Sequence, residues 1–315
     1  MDLVDTLRKK IDLLEEGEHT QGLEAVLLHI KTAFRHLSRG QESDDDTAFT
    51  DAIYRTNQAF EGSIKEAFRV LTGQNPAKKT PNEIESYLEQ KDIFRNRVLN
   101  QLTTYRTEWR NPSTHDYKLD FDESEAFLAI VTVSAFACLL FDQITEQLAY
   151  KRSQAETEAQ KGSLAANLAK TLNADLLSQV ANLLTEFCAR HMVSTKKSSR
   201  VTEPQVVGAL HGFISSAAPD LEIQTQFRLD AGKPFRADIL VTKDKENVVI
   251  ELKHNLVRLE YQSLISQFEK QMVINGIKSG VLLLLPDGPK DMKRTESFVN
   301  GINGRLVVLL PQNST

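Results

Sequence analysis

The sequence predicts two parts of different fold class, an all-α part followed by an α/β part. A length of 315 residues is long for one hydrophobic core and comfortable for two domains. Before about residue 150, apolar residues recur at helical spacing and no run alternates as a strand does. After about residue 200, strand-like runs appear, and the last two are almost continuously apolar, which is typical of buried central strands.

Composition places the chain in the globular class. Hydrophobic residues make up 41% and charged residues 26%, which argues against disorder. The two cysteines, Cys138 and Cys188, provide neither a disulfide framework nor a zinc site, so we expect a reducing, cytoplasmic environment. The N-terminus shows no secretory signal. The apolar run 126–141 is shorter than the roughly 18 residues of a membrane span, so we expect a buried core helix and no membrane.

The net charge of −5 argues against a strongly basic nucleic-acid-binding protein, but the charge is unevenly distributed. From His191 onward the chain has 16 basic and 13 acidic residues, a balance of +3, and the remainder carries −8. The C-terminal part is therefore mildly basic.

The N-terminal part is predicted to be helical throughout. Gly73 suits a helix C-cap, and Thr80, Pro81 and Glu83 have the spacing of a capping box. Pro112 disfavours helix at the residue before it, so a helix is expected to stop near Arg110. The predicted helices cover 20–37, 50–71, a stretch from Pro81, 93–110 and a core helix that begins near Phe121.

A connector is predicted between the two parts. Residues 151–165 are polar and suit either a solvated helix or a linker, and a helix near 166–191 follows. The basic, serine-rich stretch 194–200 is the best candidate boundary. The predicted domains are thus 1–150 and 201–315, with 151–200 connecting them.

The C-terminal part has the order α-β-β-β-α-β, with a further β-strand. Thr202 is the expected cap of its first helix. The predicted elements are a helix over 203–216, strands over 221–229, 235–241 and 247–253, a helix over 260–275, a strand over 280–286, a short helix near 296–302 and a strand over 305–311.

Asp238, Glu251 and Lys253 form the most specific pattern in this part. Glu251 and Lys253 share one face of a strand, and a turn centred on Asp244–Lys245 would place Asp238 opposite Glu251. Two carboxylates about 5 Å apart destabilise a sheet unless a cation compensates them, and hard oxygen ligands suit Mg²⁺. The alternative interpretation is two surface acids and an ion-paired lysine on an ordinary hairpin.

With these residues and this element order, the region of about residues 200–311 resembles the PD-(D/E)XK nuclease superfamily. The resemblance implies a restriction-endonuclease-like fold and a phosphodiesterase that uses Mg²⁺ or Mn²⁺, with Asp238 and Glu251 as metal ligands and Lys253 as a catalytic residue. It also implies a role for an acid on the first helix, which Glu203 matches, and for a glutamine on the later helix, which Gln267 matches. Gln271 stands where certain relatives have tyrosine, which departs from the pattern of those branches.

A second candidate site lies in the helical part. Arg110 and His115 are separated by four residues, and Asn111-Pro112 is expected to force a turn between them. Histidine transfers protons near neutral pH, and arginine binds phosphate through two hydrogen bonds, so the pair suits phosphodiester chemistry without a metal. Each of these features alone is more typical of a structural role.

Glu61 and Lys65 belong to the same pattern. They lie four residues apart on one helix and can pair, and their apolar neighbours suggest a partly buried groove. With Arg110, Asn111 and His115, they make residues 20–150 resemble a HEPN domain.

The HEPN resemblance implies one of two things. The domain is either an active, metal-independent endoribonuclease, whose composite site forms between two protomers, or an inactive domain of the same family. It implies that His115 is the acid or base, that Arg110 binds phosphate, that Asn111 supports the site, and that Glu61 and Lys65 orient the other groups.

These resemblances lead to three hypotheses. The first is a metal-dependent endonuclease of a prokaryotic anti-phage or abortive-infection system, which acts on DNA or RNA and dimerises through its helical domain. The second is a HEPN ribonuclease, with no cofactor, whose C-terminal domain only binds or senses nucleic acid. The third is a non-enzymatic dimeric scaffold. A partner subunit of a defence system fits the first two.

Overall fold

The computed structural model describes residues 2–115, 118–162, 164, 174–190, 201–229, 235–254, 261–286 and 290–312. The chain divides into two compact units, Met1–Gln147 and Leu148–Thr315. The fold is mixed, with helices in both units and a six-stranded sheet in the second, which confirms the predicted combination of an all-α part and an α/β part.

The first unit is a helical bundle. Its core includes the aromatic side chains of Phe60, Tyr105 and Phe136, and the rings of Phe60 and Tyr105 stack with centroids 4.6 Å apart. The helices of this unit are α1 (Leu3–Asp12), α2 (Glu18–Ser43), α3 (Thr47–Thr72), α4 (Pro81–Gln90), α5 (Asn96–Tyr105), α6 (Asn111–His115) and the beginning of α7 (Glu123–Ala159).

Local signals in the sequence define several of these helix ends correctly. Gly73 follows α3 with a left-handed backbone, φ 71°, which glycine adopts without steric cost. Thr80 caps α4, and its backbone N–H donates to Glu83 at 2.7 Å, which completes the predicted capping box.

The helix expected to stop near Arg110 continues instead to His115, so the predicted turn at Asn111-Pro112 is wrong. Residues Arg106–Arg110 form one π-helical turn, in which the Asn111 N–H donates to the carbonyl of Arg106. Because this turn is wider than an α-helical one, the ring of Pro112 is accommodated without ending the helix.

Helix α7 contains the apolar run predicted as a core helix. By length and composition alone it is the one helix among the described residues that could cross a membrane, with a mean hydropathy of 2.0 in its most apolar window. Half of that window is buried, and its buried side chains include Ile130, Phe136 and Phe141.

The second unit is built on a mixed sheet with the strand order β1-β2-β3-β4-β6-β5. Strands β3, β4 and β6 run parallel, and the other neighbouring pairs are antiparallel. The strands are β1 (Glu222–Leu229), β2 (Phe235–Lys243), β3 (Glu246–His254), β4 (Ser279–Leu285), β5 (Met292–Val299) and β6 (Gly304–Pro311).

Helices cover both faces of this sheet. Helices α8 (Leu176–Arg190) and α9 (Glu203–Ala217) pack on one face, and α10 (Tyr261–Asn275) packs on the other. The parallel strands are thus buried on both sides, which explains their continuous apolar sequence. Thr202 caps α9 as predicted, and its N–H donates to Gln205 at 2.9 Å.

One predicted element differs from the structure, and one predicted helix is present in the core of the second unit. The short helix expected near 296–302 is wrong, because β5 covers most of that segment as an edge strand. The helix within the predicted connector is α8, and its Val180, Leu184 and Phe187 are fully buried in the core of the second unit. The basic stretch 194–200 lies outside the described residues.

Candidate functional site

The hairpin of β2 and β3 has the predicted register. Thr242 pairs with Asn247 and Ile239 with Ile250, so the turn is centred on Asp244–Lys245. The same register, continued by one residue, would bring Asp238 opposite Glu251, but the pairing stops one residue short of them.

Beyond Ile239 and Ile250, the regular pairing of β2 with β3 ends. There the Leu252 N–H donates to the Asp238 Oδ2 at 2.7 Å. A side-chain oxygen thus accepts this hydrogen bond in place of a backbone carbonyl of β2. Gln226, opposite Asp238 on β1, has a left-handed backbone with φ 53°. The sheet is therefore distorted on both sides of Asp238. We call this place the strand fork, defined by Gln226, Asp238 and Leu252.

Glu251 and Lys253 lie next to the strand fork on β3. The Lys253 Nζ donates to the Glu251 Oε1 at 2.6 Å, and the Glu251 side chain is only 14% exposed. Its second oxygen, Oε2, is buried without a hydrogen-bond partner among the described residues. A buried carboxylate oxygen without a donor is energetically costly, and a cation compensates for it.

The electrostatics of this site show uncompensated negative charge. Burial raises the pKa of Asp238 to about 7, and the nearby charges of Glu251 and Glu203 contribute to the same shift. Burial also raises the pKa of Glu251, although the hydrogen bond from Lys253 opposes that change. Perturbed pKa values of this kind are typical of functional sites.

These residues fit a hard divalent cation. Asp238 and Glu251 would be its carboxylate ligands, and Glu203, exposed at the start of α9, lies close enough to raise the pKa of both. Among the described residues, no three acids or other ligating side chains yet form a closed metal-binding group. Gln267 is exposed on α10 and makes no hydrogen bond to these residues.

The helical unit brings Arg110 close to Glu61. The Arg110 Nη2 lies 3.7 Å from the Glu61 Oε1, and the Nη1 donates to the side chain of Asn111 at 3.1 Å. The Arg110 Nε is buried and has no partner among the described residues. A buried N–H without an acceptor is energetically costly.

A buried hydrogen-bond network fixes the backbone beneath Arg110. The Tyr105 hydroxyl lies 2.6 Å from the Thr56 Oγ1 and 2.9 Å from the Asn57 Oδ1. Asn57 donates to the Ser113 Oγ at 2.8 Å, and Ser113 donates to the carbonyl of Arg110 at 3.2 Å. The network joins α3, α5 and α6 through side chains that are buried.

Two predicted members of this site lie elsewhere. The expected Glu61–Lys65 ion pair does not form, since Glu61 faces Arg110 and no ion pair of Lys65 occurs among the described residues. His115 is exposed, and a separation of five residues rotates it by about 140° from Arg110 around a helix. Within one protomer, the structure does not bring His115 to the Arg110–Glu61 pair.

A groove with a volume of about 690 Å³ is lined in part by Glu61, the acidic member of this pair. We call it the helical groove. Its lining includes residues not predicted from the sequence, although five of them recur at helical spacing on one face of α3 as a polar stripe. The lining residues are His36, Asp51, Tyr54, Arg55, Asn57, Gln58, Glu61, Ser113 and Thr114.

Comparison of the chain with models of protein families, with curated proteins and with solved structures finds no match. The functional argument consequently depends on the two sites themselves.

Proposed function

We propose that the protein is a metal-dependent nuclease whose active site contains Asp238, Glu251 and Lys253. The observation that carries this proposal is the half-buried Asp238 at the strand fork together with the largely buried Glu251 next to it, two carboxyl groups with raised pKa values, and Lys253, which donates to Glu251. The order of the elements, with α9 before β1–β3 and α10 before β4, supports a restriction-endonuclease-like fold for this unit.

Each residue has a distinct role in this proposal. Asp238 and Glu251 would hold Mg²⁺ or Mn²⁺, with Glu203 as an outer acid. The bound ion would lower the pKa of water and stabilise negative charge on the scissile phosphate. Lys253, freed from Glu251 when that carboxylate binds the cation, would hold a phosphate oxygen. The Leu252 N–H keeps the Asp238 carboxylate oriented.

A cleavage assay tests this proposal. Purified full-length protein is incubated with single- and double-stranded DNA and RNA, with Mg²⁺, with Mn²⁺ or with EDTA. We expect cleavage that needs the metal and is lost in Asp238→Ala and Lys253→Ala. Glu246→Ala and Lys245→Ala are matched controls, because both residues are exposed on the same hairpin. No cleavage of any substrate, or equal cleavage by all variants, contradicts the proposal.

A second candidate function is metal-independent RNA cleavage by the helical unit. The observation that favours it is the pair of Arg110 and Glu61, because the Arg110 Nε has no partner among the described residues and Glu61 also lines the helical groove. It predicts RNA cleavage that survives EDTA, is lost in His115→Ala and leaves 2′,3′-cyclic phosphate ends. Cleavage that EDTA abolishes leaves only the first function.

The proposed setting is a prokaryotic defence system in which the protein acts as a homodimer through its helical unit. Light scattering after size exclusion should give twice the mass of the chain. A dimer that cleaves nothing with or without EDTA, and whose variants at both sites have no phenotype, would instead fit the non-enzymatic scaffold.

A further inference from the structure

Strand β5 lies at the edge of the sheet opposite to β1 and is regular along its length. Among the described residues it pairs with β6 alone, from Met292 to Val299. All residues between these two are exposed, and Phe298 is 80% exposed. None of the eight residues of β5 has a positive φ, whereas β1 is distorted at Gln226. A regular edge with unpaired backbone groups is a template for a further strand.

The side chains of β5 are arranged symmetrically about Thr295. A basic side chain precedes this residue, an acidic one follows it, and an apolar side chain lies near each end of the strand. If two copies of β5 pair in antiparallel fashion around Thr295, residues equally far from this centre are opposite each other and point to the same face. The opposite residues would be Arg294 and Glu296, Lys293 and Ser297, and Met292 and Phe298.

Charge favours this centre over the neighbouring ones. A two-fold axis perpendicular to the sheet keeps the two faces apart, so it passes between one residue and the same residue of the second copy. A centre at Lys293, Arg294 or Glu296 brings two like charges opposite each other, which destabilises a strand pair. A centre at Ser297 leaves the first part of the strand unpaired. The centre at Thr295 instead places Arg294 opposite Glu296 of the second copy.

The ion pairs within one chain are compatible with this arrangement. The Arg294 Nη2 lies 3.2 Å from the Glu296 Oε2, and the Arg305 Nε donates to the Glu296 Oε1 at 2.7 Å. The three side chains remain about one-third exposed. Pairing adds an opposite charge across the axis to each Arg294 and each Glu296, and it places no like charge directly opposite either of them.

The other face and the strand ends match as well. The Ser297 Oγ donates to the Glu269 Oε1 of α10 at 3.5 Å, so Lys293 of a second copy, which would be opposite Ser297, lies near an acidic side chain. At each end, the exposed ring of Phe298 would lie opposite Met292, which is buried. Pairing therefore removes exposed apolar surface from water.

We propose that β5 pairs with β5 of a second copy of this chain, antiparallel and centred on Thr295, and joins two six-stranded sheets into one. The partner at this edge is thus a second copy and not a peptide of another protein. The strand fork, on β1–β3 at the other side of the sheet, stays accessible. In a closed dimer, this strand pair and the proposed contact between the helical units would join the same two chains. The strand pair does not depend on cleavage at either candidate site.

Disulfide cross-linking of the full chain tests the position of the axis. Opposite residues of a strand pair have Cβ atoms about 4.5–5.5 Å apart, which is close enough for a disulfide bond. With copper phenanthroline as the oxidant, Thr295→Cys should join two chains, as a non-reducing gel would show. Lys293→Cys is the matched control, because it is exposed on the same face and would lie about 13 Å along the strand from its copy. We expect at least about 5-fold less cross-linked dimer from it.

Two further cysteine variants test the register itself. Lys293 and Ser297 would be opposite each other in the two copies, so a chain with both Lys293→Cys and Ser297→Cys should cross-link about as well as Thr295→Cys. Ser297→Cys alone should not. The wild type measures any background from Cys138 and from the buried Cys188.

Charge reversal in the Thr295→Cys background tests the complementarity. Arg294→Glu or Glu296→Arg places like charges opposite each other, and each should lower the yield of cross-linked dimer by about 5-fold. When the two variants are co-expressed, the two acids of one chain are opposite the two bases of the other, and the yield should recover. Contacts within one chain cannot cause this recovery, because each chain still carries its own like charges.

The proposal is overturned if Thr295→Cys gives no more dimer than Lys293→Cys, which is also the result expected if β5 binds a strand of another protein. It is overturned as well if the charge reversals leave the yield unchanged, or if co-expression does not restore it. Should a charge-reversed chain not fold, the cysteine variants, which keep Arg294 and Glu296, decide.

Discussion

Asp238 shows how a partly buried acidic side chain lowers stability. Its carboxyl group is half-buried, and its charged form is disfavoured by burial and by the charge of Glu251. The hydrogen bond from the Leu252 N–H recovers part of this cost. Without a cation, the folded protein therefore holds a group that ionises more readily in the unfolded chain.

Asp238→Asn should consequently stabilise the metal-free protein at alkaline pH. The pKa rises from an ordinary value of 3.8 to about 7 on folding, so the wild type loses stability as the pH rises through that window and stays less stable above it. We expect a gain of about 2 kcal/mol near pH 8 that disappears near pH 4. Urea unfolding in EDTA at both pH values measures it, with Glu246→Gln as a neutral control. An equal gain at both pH values contradicts the titration.

Tyr105 has the opposite character, because its hydroxyl is fully buried and stabilising. Tyr105→Phe leaves Thr56 and Asn57 without that partner and should lower the free energy of unfolding by about 1–3 kcal/mol. Tyr87→Phe, which removes a solvent-exposed hydrogen bond to Gln74, should change it by less than about 0.5 kcal/mol. Similar losses in both variants would mean that the buried network contributes little.

At the scale of helices and strands, the hairpin register and the helix ends were predicted correctly because they depend on residues close together in the sequence. Alternation and the short turn predicted the register of the β2–β3 hairpin correctly as far as the pair of Ile239 and Ile250. Caps at Gly73, Thr80 and Thr202 also matched. These features depend on residues a few positions apart along the chain.

The predictions that differ from the structure depend on distant partners. Strand β5 lacks alternation because its middle residues are exposed, and only backbone pairing with β6 makes it a strand. The helix passes Pro112 through a π-helical turn that no composition rule indicates. The helical groove needs α2, α3 and α6 to be packed together, so His36 could not be assigned to it.

The strained residue of β1 gives a prediction for this element. Gln226 has a positive φ of 53°, which glycine tolerates best and β-branched residues tolerate worst. Gln226→Gly should keep or raise stability, by up to about 1 kcal/mol, and Gln226→Val should lower it by about 1–2 kcal/mol. Thermal unfolding compares them. A more stable valine variant would show that β1 is regular there.

For the whole molecule, the charge split has a more specific meaning once the structure is known. The balance of +3 from His191 onward counts Asp238 and Glu251 as fully ionised. The pKa of Asp238 is raised to about 7, so the metal-free C-terminal part carries less negative charge near neutral pH than its formal count. A bound divalent cation would make it more positive still, which favours contact with a polyanion.

The two candidate sites lie in different compact units, so a substitution at one site should not change the activity of the other. Asp238→Ala should abolish metal-dependent cleavage and leave RNA cleavage in EDTA within about 2-fold of the wild type, because the helical unit is intact. His115→Ala should abolish RNA cleavage in EDTA and leave metal-dependent cleavage within about 2-fold of the wild type. The double variant should show both losses without an additional one, and a larger combined loss would indicate coupling between the units.

The strand fork also provides a spectroscopic reporter. The Leu252 N–H donates to the side-chain carboxylate of Asp238 and not to a backbone carbonyl of β2. The chemical shift of this amide proton should therefore follow the ionisation of Asp238. Its exchange with solvent deuterium should quicken when that carboxylate is removed, while the amides paired between β3 and β4 stay protected. A single backbone resonance thus reads the state of the proposed active site in the absence of substrate and metal.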